Sequence, residues 1–206
     1  MKRAISIFLA IVLSVSFLGC IGGDDDSDNV ETSTLPPKLV QVDGVVTTDE
    51  YEHMESFSGG RFVLYWRFYE ENVVFAMVAR TEGMVSLGID PEVRMKGADM
   101  MIGWVKDGET FLFDCYSTGE TGPHPEDTDL GGTDDIIEYM GTENDGVTII
   151  EFSRPLQSID EFDKDIVADG SFYVIWAISN SDSLTSSHNY RGGATINEED
   201  GNAGGY

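Results

Sequence analysis

The stretch RFVLYWRFYEENVVFAMVAR at residues 61–80 decides the fold class. Large apolar residues occupy every second position from Phe62 to Phe68, which is the period of a β-strand with one buried face. The polar residues at 70–72 are typical of a hairpin turn, and residues 73–80 are apolar at both parities. This pattern predicts two paired strands, of which the second lies inside a sheet and is covered on both faces.

The same period of two continues outward from this stretch, and no segment of helix length shows a period of 3.6. Turns are predicted at Asp107-Gly108 and at residues 144–146. Seven further strands are predicted, at residues 84–89, 99–106, 109–117, 135–141, 146–153, 171–179 and 193–197. Short strands spaced in this way predict an all-β fold, a two-sheet antiparallel, immunoglobulin-like β-sandwich over residues 39–197, followed by a flexible tail at 198–206.

Length, charge and cysteine content limit the function classes. A chain of 206 residues provides one domain with short extensions. Twelve Lys and Arg against 38 Asp and Glu give a formal charge of −26, and a negative field of that size repels nucleic acid and anionic headgroups. The two cysteines, Cys20 and Cys115, are too few for a disulfide-stabilised scaffold, so the core must stabilise the fold.

The N-terminus has the composition of an export signal. Two cations precede an apolar run at residues 4–18, which is shorter than the roughly 20 residues that span a bilayer. The end of this run, Phe17-Leu18-Gly19-Cys20, resembles the lipobox of prokaryotic lipoproteins, whose cysteine is lipid-modified. We therefore predict a lipoprotein signal peptide at 1–19, lipidation at Cys20 and a disordered acidic tether at 20–38. The predicted location is the extracytoplasmic face of the cell membrane, with the chain held by its lipid anchor.

Sequence motifs for catalysis are absent. The chain has no Gly-rich phosphate loop, no zinc-ligand spacing and no nucleophile elbow, and its three histidines lie far apart. His124 stands between two prolines in a turn-like segment, which is typical of an exposed loop residue. The chain is therefore predicted not to be an enzyme.

Met95 and His188 are the candidate ligands of a cofactor. Each residue lies just ahead of a predicted strand, so both are expected where strands begin. A thioether and an imidazole are the pair that holds haem iron in electron-transfer cytochromes. Spacing alone does not separate this interpretation from a packed methionine and a surface histidine.

Residues 42–196 resemble a DOMON domain, the module found beside copper monooxygenases of the dopamine β-monooxygenase type and in extracellular b-type cytochromes. The matching pieces are GADMMIGWVKDGETFLFDCYS at 97–117, IIEFSRPLQSID at 149–160, FYVIWAIS at 172–179 and HNYRGG at 188–193. The resemblance implies a β-sandwich that binds haem or sugar. It implies no monooxygenase activity, because the residues that remain do not provide the copper-binding core.

The resemblance also implies two sets of ligands. Haem-binding members use a methionine ahead of the Gly-Ala-Asp strand and a histidine near the end of the domain, and these roles map onto Met95 and His188 as ligands of haem b. Monooxygenase-linked members hold a cation with two carboxylates and two backbone carbonyls. The matching positions are Asp99, Met100, Cys115 and Asp135. Oxygen ligands of this kind suit Ca²⁺.

Two functions, with a purely structural domain as a third possibility, remain open at this point. The first is a lipid-anchored haem b protein that relays electrons between a membrane redox partner and something extracellular. The second is a carbohydrate-binding surface module without redox activity, since VDGVVTTDEYEH at 42–53 resembles the start of sugar-binding sandwich domains. Its stacking platforms would be Tyr65, Trp66, Tyr69 and Trp104, which otherwise pack as ordinary strand residues. Absorbance separates the two functions, because bound haem is coloured.

Overall fold

The computed structural model describes residues 39–168, 170–197 and 204–205. Its strands are β1 (His53–Phe57), β2 (Phe62–Phe68), β3 (Asn72–Ala79), β4 (Val85–Ile89), β5 (Asp99–Lys106), β6 (Glu109–Tyr116), β7 (Glu138–Asn144), β8 (Val147–Pro155), β9 (Ser171–Ile178), β10 (Tyr190–Asn197) and β11 (Gly204–Gly205). One short helix, α1 (Asp127–Leu130), lies between β6 and β7. Within the described residues, no helix is long and apolar enough to cross a membrane.

The strands form two antiparallel sheets. Sheet 1 has the order β1-β2-β3-β8-β7, and sheet 2 has the order β11-β10-β9-β4-β5-β6. Buried apolar side chains from both sheets meet in one large cluster. The predicted all-β, two-sheet antiparallel sandwich is therefore confirmed.

The stretch at residues 61–80 forms β2 and β3, as its pattern predicts. Alternate residues of β2, such as Leu64 and Trp66, are buried in the core. Strand β3 lies in the middle of sheet 1 between β2 and β8, and its neighbours Phe75 and Ala76, on opposite faces, are both fully buried. The apolar side chains of β3 at both parities therefore mark a central strand.

Both predicted hairpin turns are present. Asp107-Gly108 joins β5 to β6, and Asp145-Gly146 joins β7 to β8. All four residues have positive φ angles, between 52° and 80°. A two-residue hairpin loop with a type I′ turn requires such angles at both of its residues.

The prediction for the strand before the second turn is wrong in its bounds. Residues 135–141 were expected to form it, but β7 runs from Glu138 to Asn144. The main-chain N–H of Asp135 donates instead to the side chain of Asp114, and that of Ile136 donates to Asp134, so these residues do not enter the ladder. The short elements β1 and α1 were not predicted, because their sequences are polar and lack a clear period.

Parts of the predicted domain layout lie outside the described residues. These are the signal peptide at 1–19, the lipidation site Cys20, the tether at 20–38 and most of the tail at 198–206. Within that tail, Gly204 and Gly205 differ from the prediction, since they pair with β10 as β11.

Glu151 on β8 attaches the segment that precedes β1 to sheet 1. Its fully buried carboxylate accepts hydrogen bonds from the N–H groups of Asp43, Gly44 and Val45 at 2.7–3.2 Å and from the Tyr51 hydroxyl at 2.6 Å. Burial raises the pKa of Glu151, whereas these hydrogen bonds lower it. The carboxylate therefore stabilises the segment mainly by satisfying its donors.

We expect Glu151→Ala to lower the free energy of unfolding by roughly 2–4 kcal/mol, because four donors lose a charged acceptor. Urea denaturation followed by tryptophan fluorescence measures the effect. The control is Glu138→Ala on the edge strand β7, where the side chain is exposed and the expected change is within about 0.5 kcal/mol. Equal losses in the two variants would contradict the anchoring role.

Candidate functional site

A cavity of about 610 Å³ lies on the outer face of sheet 2, the face turned away from sheet 1. Its floor comes from alternate residues of four neighbouring strands: Ser86, Met100, Ile102, Tyr173, Ile175, Ala177, Arg191 and Gly193. The residues between them, such as Met101 and Val174, belong to the core between the sheets. Sheet 2 is therefore apolar on both faces, and the apolar side chains of its outer face must also be shielded from water.

Three loops surround this floor. They contribute Pro91, Glu92, Arg94 and Met95 from β4–β5, Glu120, Thr121 and His124 from β6–α1, and Leu184, Ser186 and His188 from β9–β10. Met95 and His188, the two candidate cofactor ligands of the sequence analysis, thus line the same cavity. The prediction that His124 is an exposed loop residue is wrong, because its loop folds over the floor and leaves the ring only partly exposed.

Two glycines keep the floor open. A Cβ on Gly88 would lie 2.7 Å from Cγ1 of Ile175, and a Cβ on Gly193 would lie 2.5 Å from the hydroxyl oxygen of Tyr173. Real Cβ atoms do not approach other atoms so closely, so larger residues would displace the two floor side chains. Glycine at these positions allows Ile175 and Tyr173 to lie against the sheet.

The cavity wall carries charges of both signs. Arg94 and Arg191 contribute positive charge, and Glu92 and Glu120 contribute negative charge. The Arg94 guanidinium lies 3.8 Å from the Glu120 carboxylate, but both side chains are exposed, so this ion pair adds little stability. In a chain with only twelve Lys and Arg, two arginines at one cavity provide positive charge, which the two glutamates balance.

The two imidazoles of the cavity favour the neutral form. Burial lowers the pKa of His124, and the nearby His188 lowers it further. Burial also lowers the pKa of His188, with a further contribution from Arg191. A neutral imidazole has a free lone pair, which is the form that binds a metal ion.

A second candidate site, the aspartate cluster, lies at the inner side of sheet 2. Its members are the buried residues Asp99, Asp114, Asp127, Asp135 and Asp163. Carboxylate oxygens of Asp99, Asp114 and Asp163 all lie within 4.8 Å of one another. The buried guanidinium of Arg154, on β8, donates to Asp99 and lies 3.6 Å from Asp163. Strands β5 and β6 thus supply two acids and β8 supplies one cation, and the other acids come from loops and from α1.

The aspartate cluster holds more acid than one guanidinium balances. Burial and then the neighbouring Asp99 raise the pKa of Asp114 to about 8 and that of Asp127 to about 7. Burial followed by the neighbouring Asp135 also raises the pKa of Asp163. Buried carboxyl oxygens of Asp99, Asp127, Asp135 and Asp163 have no hydrogen-bond partner among the described residues. Bound protons or a bound cation must therefore neutralise these buried carboxylates.

The predicted cation ligands are the carboxylates of Asp99 and Asp135 and the main-chain carbonyls of Met100 and Cys115. Asp99 and Asp135 belong to the aspartate cluster. Met100 and Cys115 face each other in register across β5 and β6, and their side chains lie in a separate buried cluster on the outer face. Cys115 is a free, fully buried thiol there. The prediction missed the acids that do join Asp99, above all Asp114.

The aromatic residues predicted as alternative stacking platforms lie in four different places. Trp66 is 4% exposed and belongs to the core. Tyr65 lines a smaller pocket of about 290 Å³ beside β1. The Tyr69 hydroxyl accepts a hydrogen bond from the N–H of Val40, and Trp104 stacks against the aromatic side chains of β6. They therefore do not form one platform.

The family model of the DOMON domain matches residues 58–179. The chain belongs to the DOMON family. It is 33% identical over 99 residues to MOXD1 homolog 2 of Drosophila melanogaster, a match that covers 48% of this chain and 13% of that protein. It is 34% identical over 125 residues to DBH-like monooxygenase protein 1 of Homo sapiens, with 61% and 19% covered. The chain therefore spans less than a fifth of the length of these relatives.

A solved structure also resembles this DOMON sandwich. The cytochrome b domain of pyranose dehydrogenase from Coprinopsis cinerea superimposes with a TM-score of 0.52 at 12% identity, over 68% of this chain and 78% of that one. At this identity the likeness shows the fold.

Sequence signals existed for some functional residues of this DOMON domain and not for others. On β6, Asp114 lies two residues after Leu112, which belongs to the core, so both side chains face the core. An acid at a core-facing position of a strand indicates a buried charged site. Strand β5 is apolar at both parities, which also indicated a covered outer face. His124 gave no such signal, because the path of a long loop is set by tertiary contacts.

Proposed function

We propose that this DOMON protein binds haem b in the cavity on sheet 2, that Met95 and His188 would hold the iron, and that the protein transfers electrons at the cell surface. One observation carries the proposal: two loops distant in sequence bring a thioether and an imidazole to the same cavity. That ligand pair is typical of electron-transfer haem proteins.

The lining of the cavity fits a haem group. The side chains of Met100, Ile102 and Ile175 offer an apolar surface on a sheet, and the volume of about 610 Å³ lies within the range of small-molecule and cofactor sites. Arg94 and Arg191 offer positive charge to the two carboxylates that haem b carries. The likeness to a cytochrome b domain supports the same proposal.

Each residue then has a distinct role. Bound haem would supply a centre that accepts and releases one electron. His188 would bind the iron through its neutral imidazole, and Met95 through its thioether, which favours the ferrous state. Because the chain itself would supply both of these ligands, electron transfer would need no substrate at the metal. The apolar floor would exclude water and so help to set the reduction potential.

We expect the full chain to bind haem with a six-coordinate, low-spin spectrum. His188→Ala should weaken haem binding more than tenfold, because it removes the stronger ligand. Met95→Ala should weaken binding less and lower the reduction potential, because the thioether favours ferrous iron. Absorbance titration with haemin and spectroelectrochemistry measure both effects.

Two controls use the same residue types on the other sheet. His53→Ala and Met54→Ala, both on β1, should leave the haem affinity and the reduction potential unchanged. A wild-type chain that stays colourless throughout the haemin titration would overturn the proposal and favour the carbohydrate-binding alternative.

The proposed location is the extracytoplasmic face of the cell membrane, with a lipid on Cys20. The sequence of residues 1–38 supports it through its export signal, lipobox-like end and acidic tether. The net charge of −26 favours docking of a redox partner with a basic surface, since opposite charges accelerate association.

We expect Cys20→Ser to release the protein from the membrane fraction or to leave it unprocessed, because serine does not carry the thioether lipid. Cell fractionation followed by mass spectrometry of the N-terminal peptide measures this. Cys115→Ala is the control, since it removes the other cysteine and should leave the protein in the membrane fraction. Unchanged fractionation of Cys20→Ser would contradict the lipid anchor.

A cation at the aspartate cluster is the second part of the proposal. Asp99 and Asp135 of the predicted site would be joined by Asp114 and Asp163, whose oxygens converge on the same space. The carboxyl oxygens without hydrogen-bond partners support this site, and oxygen ligands favour Ca²⁺. The cation would balance the charge that Arg154 leaves uncompensated.

We expect Ca²⁺ at 100 times its dissociation constant to stabilise the fold by about 2.7 kcal/mol at pH 8. In chelator, the free energy of unfolding should fall as the pH rises from about 4 to 8. The raised pKa values of Asp114 and Asp127 make the folded state hold more protons than the unfolded state in that window. Urea denaturation at matched ionic strength, with Mg²⁺ as the competing ion, measures both effects.

The test variant is Asp114→Asn, which removes a buried carboxylate of the aspartate cluster. The control is Asp129→Asn, which removes an exposed carboxylate of α1. Asp114→Asn should abolish the Ca²⁺ effect and flatten the pH dependence. Identical unfolding energies with Ca²⁺ and with chelator in the wild type would contradict a cation site.

A further inference from the structure

His124 lines the cavity on sheet 2, and the proposed function gives its imidazole no role. It lies in the loop between β6 and α1 and lines the cavity together with Met95 and His188. Its Nδ1 is buried and has no hydrogen-bond partner among the described residues. A buried ring nitrogen without such a bond is uncommon in folded proteins.

Main-chain bonds on both sides hold His124 in position. The N–H of Thr118 donates to the carbonyl of Pro123 at 3.2 Å, and the N–H of Tyr116 donates to the carbonyl of Pro125 at 3.0 Å. The residue after Pro125, Glu126, forms a β-bridge with Cys115 of β6. The loop is thus attached to β6, next to the strand that supplies Met100 and Ile102 to the floor. The imidazole is therefore held at the cavity by backbone contacts.

His124 and His188 line the same cavity, although their loops lie far apart in sequence. Met95, on a third loop, lines it as well. The cavity thus contains three side chains of the types that bind haem iron, one more than the pair that would hold the iron in the proposed function.

We propose that His124 is an alternative ligand that would hold the haem iron together with His188 when the thioether of Met95 is absent or displaced. This inference rests on the proposed haem binding and adds a second coordination state to it. Binding through two imidazoles favours the ferric state relative to imidazole and thioether, because the thioether raises the reduction potential. Haem held by His188 and His124 would therefore have a lower reduction potential than haem held by His188 and Met95.

The test compares haem coordination in the full chain, reconstituted with haemin in detergent, among four proteins. These are the wild type, Met95→Ala, His124→Gln and the double variant Met95→Ala/His124→Gln. Electron paramagnetic resonance and absorbance of the ferric proteins report the spin state, and spectroelectrochemistry reports the potential. We expect Met95→Ala to remain mostly low-spin with a lower potential than the wild type, because His124 replaces the thioether. The double variant should become high-spin, because neither Met95 nor His124 then remains, and His124→Gln alone reports the change that the loop substitution itself causes.

A second double variant, Met95→Ala/His53→Gln, is the matched control, because His53 lies on the other sheet. It should stay low-spin like Met95→Ala. Circular dichroism of each protein separates loss of a ligand from loss of the fold, and Met95→Ala/His124→Asn repeats the comparison if the glutamine variant unfolds. A high-spin Met95→Ala protein with a spectrum equal to that of the double variant would overturn the role of His124 and leave the proposed haem binding intact. A wild-type chain that binds no haem would overturn both.

Discussion

Sheet 2 is apolar on both of its faces, and the candidate site follows from this constraint. The inner face packs against sheet 1, whereas the outer face carries Met100, Ile102 and Ile175. Burial of apolar surface yields about 25 cal/mol per Å², so an uncovered outer face would be costly. Three loops cover that face in part and leave the cavity between them. One hydrophobic requirement therefore brings Met95, His124 and His188, which are distant in sequence, to one place.

The start of β5 connects the two candidate sites. Asp99 and Met100 are consecutive, so their side chains point to opposite faces of sheet 2. Asp99 enters the aspartate cluster with Arg154, and Met100 lies in the floor of the cavity. The turn that holds Met95 ends at this point and is tied to β6, since the N–H of Gly97 donates to the carbonyl of Ser117. The buried ion pair of Asp99 with Arg154 thus lies at the strand end beside the proposed ligand.

The sequence predicts the sandwich well because strand formation depends on a local pattern. Alternation in β2 and the positive-φ turn at Asp107-Gly108 are local properties. The sequence also offered Met95 and His188, through their positions ahead of strands. It did not predict the partners of Asp99 or the inward path of the His124 loop, because both depend on which strands and loops become neighbours. The displaced start of β7 has the same cause, since a side chain of β6 captures the N–H of Asp135.

In the proposed haem site, one sulfur atom and one imidazole of the chain hold the iron. X-ray absorption at the iron edge of the reduced, reconstituted full chain tests this ligation most directly, because the first coordination shell separates sulfur from nitrogen. We expect one sulfur and five nitrogen neighbours, four of the nitrogens from the porphyrin, and no sulfur in Met95→Ala. An iron shell without sulfur in the wild type, or preparations that retain no iron, would contradict it.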